Sequence, residues 1–197
     1  MAMALDQSPN ATGWAMASPN DPRPRFGVFT LPPWRDEEGP RLCAFEDWLS
    51  DHIRKNGVSH VFYEAPVDVP YIAGRPAPKS FDVTSKQNQQ IGAIAMAAHR
   101  CNVPVAQVTA NDWRKRFLGV TKPVGVTGKA VRPELKRMAL KACALRNWYV
   151  DDDNVAEALG ILDFALSTLS RKHAGGRDPI FRRAELQHDI AKFRGEG

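Results

Sequence analysis

Little in the 197-residue sequence favours a covalent scaffold, a bound metal of the zinc type or a membrane. There are three cysteines, Cys43, Cys101 and Cys143. They are odd in number, far apart and without metal-ligand spacing, which reads as reduced thiols in a cytoplasmic protein. No apolar run approaches the ~20 residues of a spanning helix. The first residues carry no basic stretch and reach an acid at Asp6, so a secretory signal is not expected. Internal repeats are absent. No glycine-rich phosphate loop is present, which argues against a small-molecule kinase-like enzyme. His52, His60 and His99 stand alone and read as structural residues.

What is present is a core and an uneven charge. The chain is 43% hydrophobic and 25% charged, enough for one globular domain and too apolar for disorder throughout. Its net charge is +5, which by itself only permits an anionic partner. Residues 114–146, however, hold ten basic side chains against one acid, Glu134. That segment carries +9 and leaves −4 for the rest. Lysines and arginines on phosphates release counterions and supply most non-specific nucleic-acid affinity. A solvated helix face is the plainer reading of the same charges.

Residues 2–5, 14–17 and 25–31 have strand composition and are separated by turn-forming segments. Leu42, Phe45, Trp48, Leu49, His52 and Ile53 recur at helical spacing and predict a helix that Gly57 ends. Residues 60–63 predict a short buried strand ending at Glu64. Residues 66–78 hold four prolines and read as a long loop. An alanine-rich helix is expected over 87–100, a strand over 104–108 and a short helix around 111–118. A loop over 119–131 leads to a helix whose first turn takes Pro133. A last helix is expected over 155–169. The order is three strands, helix, strand, helix, strand, helices. It predicts an α/β fold with an antiparallel meander followed by parallel strands joined through crossover helices. The folded domain is expected to span residues 1–171. A charged tail over 172–197 reads either as carrying a short helix around 180–193 or as partly disordered.

Three acidic positions share one setting. Asp6 and Glu64 each follow a short apolar strand, and Asp152, Asp153 and Glu157 straddle the start of an apolar helix. Strand ends are where open α/β sheets build sites. Paired parallel strands lie roughly 5 Å apart, so Asp6 and Glu64 would face one cation if their strands are neighbours. Asp153 and Glu157 are four apart and share a helix face. A carboxylate cluster repels itself unless cations neutralise it. Hard oxygen ligands favour Mg²⁺ or Mn²⁺, and two such ions clamp the attacking and leaving oxygens of a phosphodiester. Singly, each acid has a simpler role. Asp6 would cap a turn, Glu64 would be a solvated strand end, and Asp152 or Asp153 would cap a helix. Glu157 is the hardest to dismiss, because Val155, Ala156, Ala158 and Leu159 surround it.

Four segments, in this order, resemble the motifs of RuvC-type Holliday junction resolvases, within the ribonuclease H-like superfamily. They are LDQSPNATGW at 5–14, FYEAP at 62–66, VTANDWRK at 108–115 and DDNVAEALGI at 152–161. The likeness spans about residues 3–170 and is nearest to the compact members carried by phages and prophages. It implies a ribonuclease H-like fold with a central mixed five-stranded sheet flanked by helices. It also implies a homodimer that cuts opposed strands of a four-way DNA junction with two Mg²⁺ or Mn²⁺ ions per site. By motif match Asp6 and Glu64 are the first two metal ligands, and the others fall at Asp153 and Glu157, or at Asp152. The chain departs from a common form of the family in having Asn154 three residues before the last acid, and Glu rather than Asp at that acid. Lys115, Lys122, Lys129 and Lys136 are the candidate phosphate contacts. The loop after Glu64 carries Tyr71, Arg75, Lys79 and Phe81, and the corresponding loop of the resolvases contacts the junction centre. A base stacked on Tyr71 or Phe81 would gain roughly 1–3 kcal/mol; packing of Phe81 beneath the loop is the alternative. A nuclease of broader branch specificity (flaps, forks) and a non-catalytic DNA-binding protein retaining the fold are the competing functions.

Overall fold

The computed structural model describes residues 1–19, 23–33, 38–66 and 78–172, with the backbone alone for 78–84 and 170–172. Five strands form one sheet. They are β1 (Ala2–Gln7), β2 (Ala11–Ala17), β3 (Arg25–Thr30), β4 (His60–Glu64) and β5 (Val105–Val108), in the order β3-β2-β1-β4-β5. β1, β2 and β3 pair antiparallel, while β4 pairs parallel with both β1 and β5. The expected meander followed by parallel strands is the observed topology. The connections are α1 (Gly39–Asn56) between β3 and β4, and α2 (Pro78–Arg100) between β4 and β5. Then come α3 (Ala110–Phe117), a short 3₁₀ turn at Gly128–Ala130, α4 (Val131–Ala144) and α5 (Asp153–Lys172).

Side-chain alternation along β1 divides the core in two. Met3 and Leu5 join Met16, Val61, Phe45, Leu49, Ile53 and Ile94 beneath α1 and α2. Ala2 and Ala4 point the other way and join Ala15, Ala17, Phe62 and the apolar face of α5. The alanines let the α5 backbone come close to the sheet. That closeness is greatest at Gly13, where a Cβ would stand 2.2 Å from the Asn154 carbonyl oxygen. A helix crossing this near has no room for any side chain at residue 13. α5 itself is buried almost all round, at Val155, Ala156, Ala158, Leu159, Ile161, Leu162, Ala165 and Leu166.

Several expected boundaries move, two of them by three residues or more and with consequences for the site. β2 begins at Ala11, three residues before the expected start, because β1 continues to Gln7 and pairs it with Thr12. Only Ser8, Pro9 and Asn10 are left to turn the chain, with the Ser8 N–H and hydroxyl both donating to the Ala11 carbonyl. α2 begins at Pro78, nine residues before the expected start. Proline suits a first helical turn, and among the α2 residues whose burial is described, the buried spacing begins at Gln90, Ala93, Ile94, Ala97 and Ala98. Lys79 and Phe81 therefore belong to the first turns of α2 and not to the loop. Tyr71 and Arg75 lie outside the described residues, as does the expected tail beyond Lys172. Cys43, Cys101 and Cys143 form no disulfide. No helix among the described residues is long and apolar enough to cross a membrane.

Gly13→Ala is expected to destabilise the fold by roughly 1–3 kcal/mol through overpacking against α5. Urea unfolding would show it as a lower midpoint at an unchanged slope.

Candidate active site

Strand parity decides which acids meet. Asp6 continues the Ala2–Ala4 face of β1, and Glu64 continues the Phe62 face of β4, so both point toward α5. The β1–β4 register pairs Leu5 with Tyr63, which sets Asp6 and Glu64 side by side as the next residues. Glu157, one turn into α5, faces the same space. Asp6 and Glu157 are each only 7% exposed.

The three carboxylates perturb one another. Burial pushes Asp6 well above its ordinary 3.8, and the charges of Glu157 and Glu64 push it further against the opposing pull of Lys136 and Arg132. Burial also raises Glu64 above its ordinary 4.5, opposed by the Trp113 hydrogen bond and then by Arg114 and Arg132. Glu157 is raised by burial and next by Glu64, against Arg114, Lys136 and Arg132. Buried acids that repel one another are the arrangement in which a hard divalent cation replaces protons.

Glu64, Glu157, Asp153 and Asp152 each also have a partner within the chain. Trp113 Nε1 donates to Glu64 Oε2 at 2.9 Å. Arg114 Nη2 lies 3.9 Å from Glu157 Oε1. Lys136 pairs with Asp153. Asp152 is the cap of α5, its Oδ1 accepting from the backbone N–H groups of Asn154 and Val155 at 2.8 and 3.1 Å. The expected set thus separates. Asp6, Glu64 and Glu157 share one buried space, Asp153 stands at the helix start in an ion pair, and Asp152 is engaged by backbone. Among the described residues no group of three or more acids, histidines or cysteines is drawn together closely enough to hold a metal ion as it stands. The donor set itself, all carboxylate oxygen, suits Mg²⁺ or Mn²⁺ and not zinc.

The turn after Asp6 is held from the other side of the sheet. Gln87 Nε2 donates to the Gln7 carbonyl at 3.1 Å, Gln90 Nε2 to Ser8 at 3.0 Å and Arg41 Nη2 to Pro9 at 2.7 Å. Gln87 and Ile91 line a small cleft with Asp6, Glu64 and Pro66. Sequence reasoning missed Arg41, Gln87 and Gln90 in this role, and also Trp113, Arg114 and Arg132 beside the acids. The tryptophan and Arg114 lay within the third motif, where only the motif as a whole was legible. Of the candidate phosphate contacts, Lys115, Lys122 and Lys129 are exposed, while Lys136 is half-buried against Asp153.

No family model matches the sequence, and no curated protein matches it. Solved structures do match in fold. Thermus thermophilus RuvC is 16% identical with a TM-score of 0.58, covering 86% of this chain and 96% of that one. T. thermophilus RuvC in complex with a Holliday junction substrate is 14% identical with a TM-score of 0.59, over 86% of this chain and 94% of that one. Ydc2, the yeast mitochondrial Holliday junction resolvase, is 13% identical with a TM-score of 0.51, over 88% of this chain and 80% of that one. The chain has the α/β ribonuclease H-like fold of these resolvases, and the resemblance read from the four motifs holds at the level of fold.

Asp6→Asn removes one charge from the cluster without changing its shape. Because the folded carboxyls titrate above their unfolded values, the stability they contribute is full below their ordinary 3.8–4.5. It is lost as pH rises through their raised values. The metal-free variant is therefore expected to melt about 2–4 °C above the wild type at pH 7.5, the shift of ~1 kcal/mol in a chain this size. The advantage should vanish toward pH 4, where the wild-type acids are protonated. Calorimetry of both proteins in EDTA across this range checks it.

Proposed function

We propose that the protein is a metal-dependent, structure-selective DNA endonuclease that resolves four-way junctions by paired phosphodiester hydrolysis. The observation that carries this reading is the buried convergence of Asp6, Glu64 and Glu157 beside a strongly basic segment. The fold it shares with RuvC, one structure of which is a complex with a Holliday junction, supports the choice of substrate.

Asp6, Glu64 and Glu157 would hold the cations, with Asp153 joining when its pair with Lys136 opens, and with Asp152 offering its remaining oxygen. Two Mg²⁺ or Mn²⁺ ions held there would supply an activated water and an offset to the charge that builds on the scissile phosphate. The chain's own part is to orient and to neutralise. Arg132, exposed at the start of α4, and Lys136 bring positive charge to the rim of the acidic space, where a phosphate enters. Lys115, Lys122 and Lys129 are free in solvent to hold the flanking backbone, while Tyr71, Arg75, Lys79 and Phe81 are the candidates for the junction centre. A four-way junction presents two equivalent strands, so paired cuts call for two copies of this site in a homodimer. The three free thiols suit a reducing, cytoplasmic setting.

Synthetic four-way, three-way and linear duplexes cut side by side in Mg²⁺ or Mn²⁺ test the proposal. Four-way junctions are expected to be cleaved fastest. Asp6→Asn should lower the rate by more than the ~10–100-fold that loss of an outer-shell partner costs. Equal cleavage of linear duplex would overturn the junction specificity and favour a broader branch nuclease. Junction binding without cleavage in either metal would leave a DNA-binding protein that retains the fold.

A further inference from the structure

Trp113 is fully buried, yet its one polar atom is aimed at a carboxylate of the acidic space. Its Nε1–H donates to Glu64 Oε2 at 2.9 Å. The ring has a prepared seat. At Gly160 a Cβ would stand 2.6 Å from Trp113 Cε3 and 2.8 Å from Cζ3, so residue 160 must be glycine for the indole to lie where it does. Gly160 follows Glu157 by three residues and shares its face of α5. One helix thus presents an acid to the cluster and, a turn later, the surface that places the partner of a second acid.

The rest of α3 keeps the ring in register. Thr109 caps the helix, its Oγ1 accepting from the Asp112 N–H at 3.2 Å. Phe117 packs beside Trp113, with ring centroids 6.4 Å apart. Arg116 Nε lies 2.6 Å from Oδ2 of the buried Asp163, one turn beyond Gly160 on α5. A tryptophan held only for bulk would need none of this precision at its N–H. A buried indole N–H must find an acceptor, but many backbone carbonyls would serve, and here it takes a charged one in the functional space.

We infer that Trp113 is a positioning residue for the metal site: its N–H fixes the rotation of the Glu64 carboxylate, keeping Oε1 and the remaining lone pairs turned toward a divalent cation. The inference rests on the metal reading of Asp6, Glu64 and Glu157 given above. Outer-shell donors of this kind typically change metal affinity 10–100-fold.

The test is Mn²⁺ titration of the full-length chain, with free Mn²⁺ followed by electron paramagnetic resonance and no DNA or turnover involved. Two variants are compared with the wild type. Trp113→Phe keeps a ring on Gly160 and deletes the N–H. Replacement of Trp113 by benzothienylalanine, introduced at that codon alone, keeps the bicyclic shape and puts sulfur in place of the N–H. Both are expected to bind Mn²⁺ about tenfold more weakly, with junction binding in EDTA unchanged. The benzothienyl variant, whose shape is conserved, stands as the deciding one if Trp113→Phe does not fold. Wild-type affinity in that variant overturns the inference alone. A wild-type chain that takes up no Mn²⁺ overturns the metal reading and this inference with it.

Discussion

Three carboxylates brought into one buried space are a standing electrostatic cost, and the architecture is arranged around that cost. Burial disfavours the ionised forms of Asp6, Glu64 and Glu157, and the neighbouring carboxylates add to it at Asp6 and Glu157. A fold selected only for stability would carry neutral residues at such positions. Keeping the acids requires rigid elements on every side. β1 and β4 supply two of them through parallel pairing, and α5 supplies the third by lying close across the strand ends.

The closeness of α5 depends on small residues. Ala2, Ala4, Ala15 and Ala17 lower the sheet surface beneath it, and Gly13 lets the Asn154 carbonyl approach where no side chain fits. Larger residues there would lift the helix and draw Glu157 away from Asp6. On the opposite face Met3, Leu5, Phe45, Leu49 and Ile94 fill a conventional apolar layer. The two faces of one sheet thus have different tasks: one stabilises, and the other sets a distance. Basic side chains complete the balance. Lys136, Arg132 and Arg114 partly offset the acids from the rim.

The backbone order was readable because alternation and helical spacing are local. The five strands, the meander and the crossovers all followed from them, while the shared face of Asp6 and Glu64 came only with the register of β1 on β4. Two starts were not readable. α2 opens on Pro78-Lys79-Ser80, which follows a proline-rich stretch and reads as its continuation, and β2 opens with Ala11-Thr12-Gly13, whose composition favours turns until pairing with Gln7 claims it. The acids themselves were legible as types at strand and helix ends. Their division into roles was not. Whether Asp152 caps a helix or binds an ion depends on backbone N–H directions, and whether Asp153 is paired depends on Lys136, which arrives from another helix seventeen residues away. The indole of Trp113 reaches Glu64 across forty-nine residues of chain. Such long-range partners leave no spacing signal.

The proposed activity requires the space between Asp6, Glu64 and Glu157 to be a divalent-cation site. Anomalous diffraction at the manganese edge from crystals grown with Mn²⁺ tests it most directly. A strong peak is expected within bonding distance of Asp6 and of at least one of Glu64 and Glu157. Ordered density for all three side chains with no peak between them, or peaks confined to surface acids elsewhere, would contradict it.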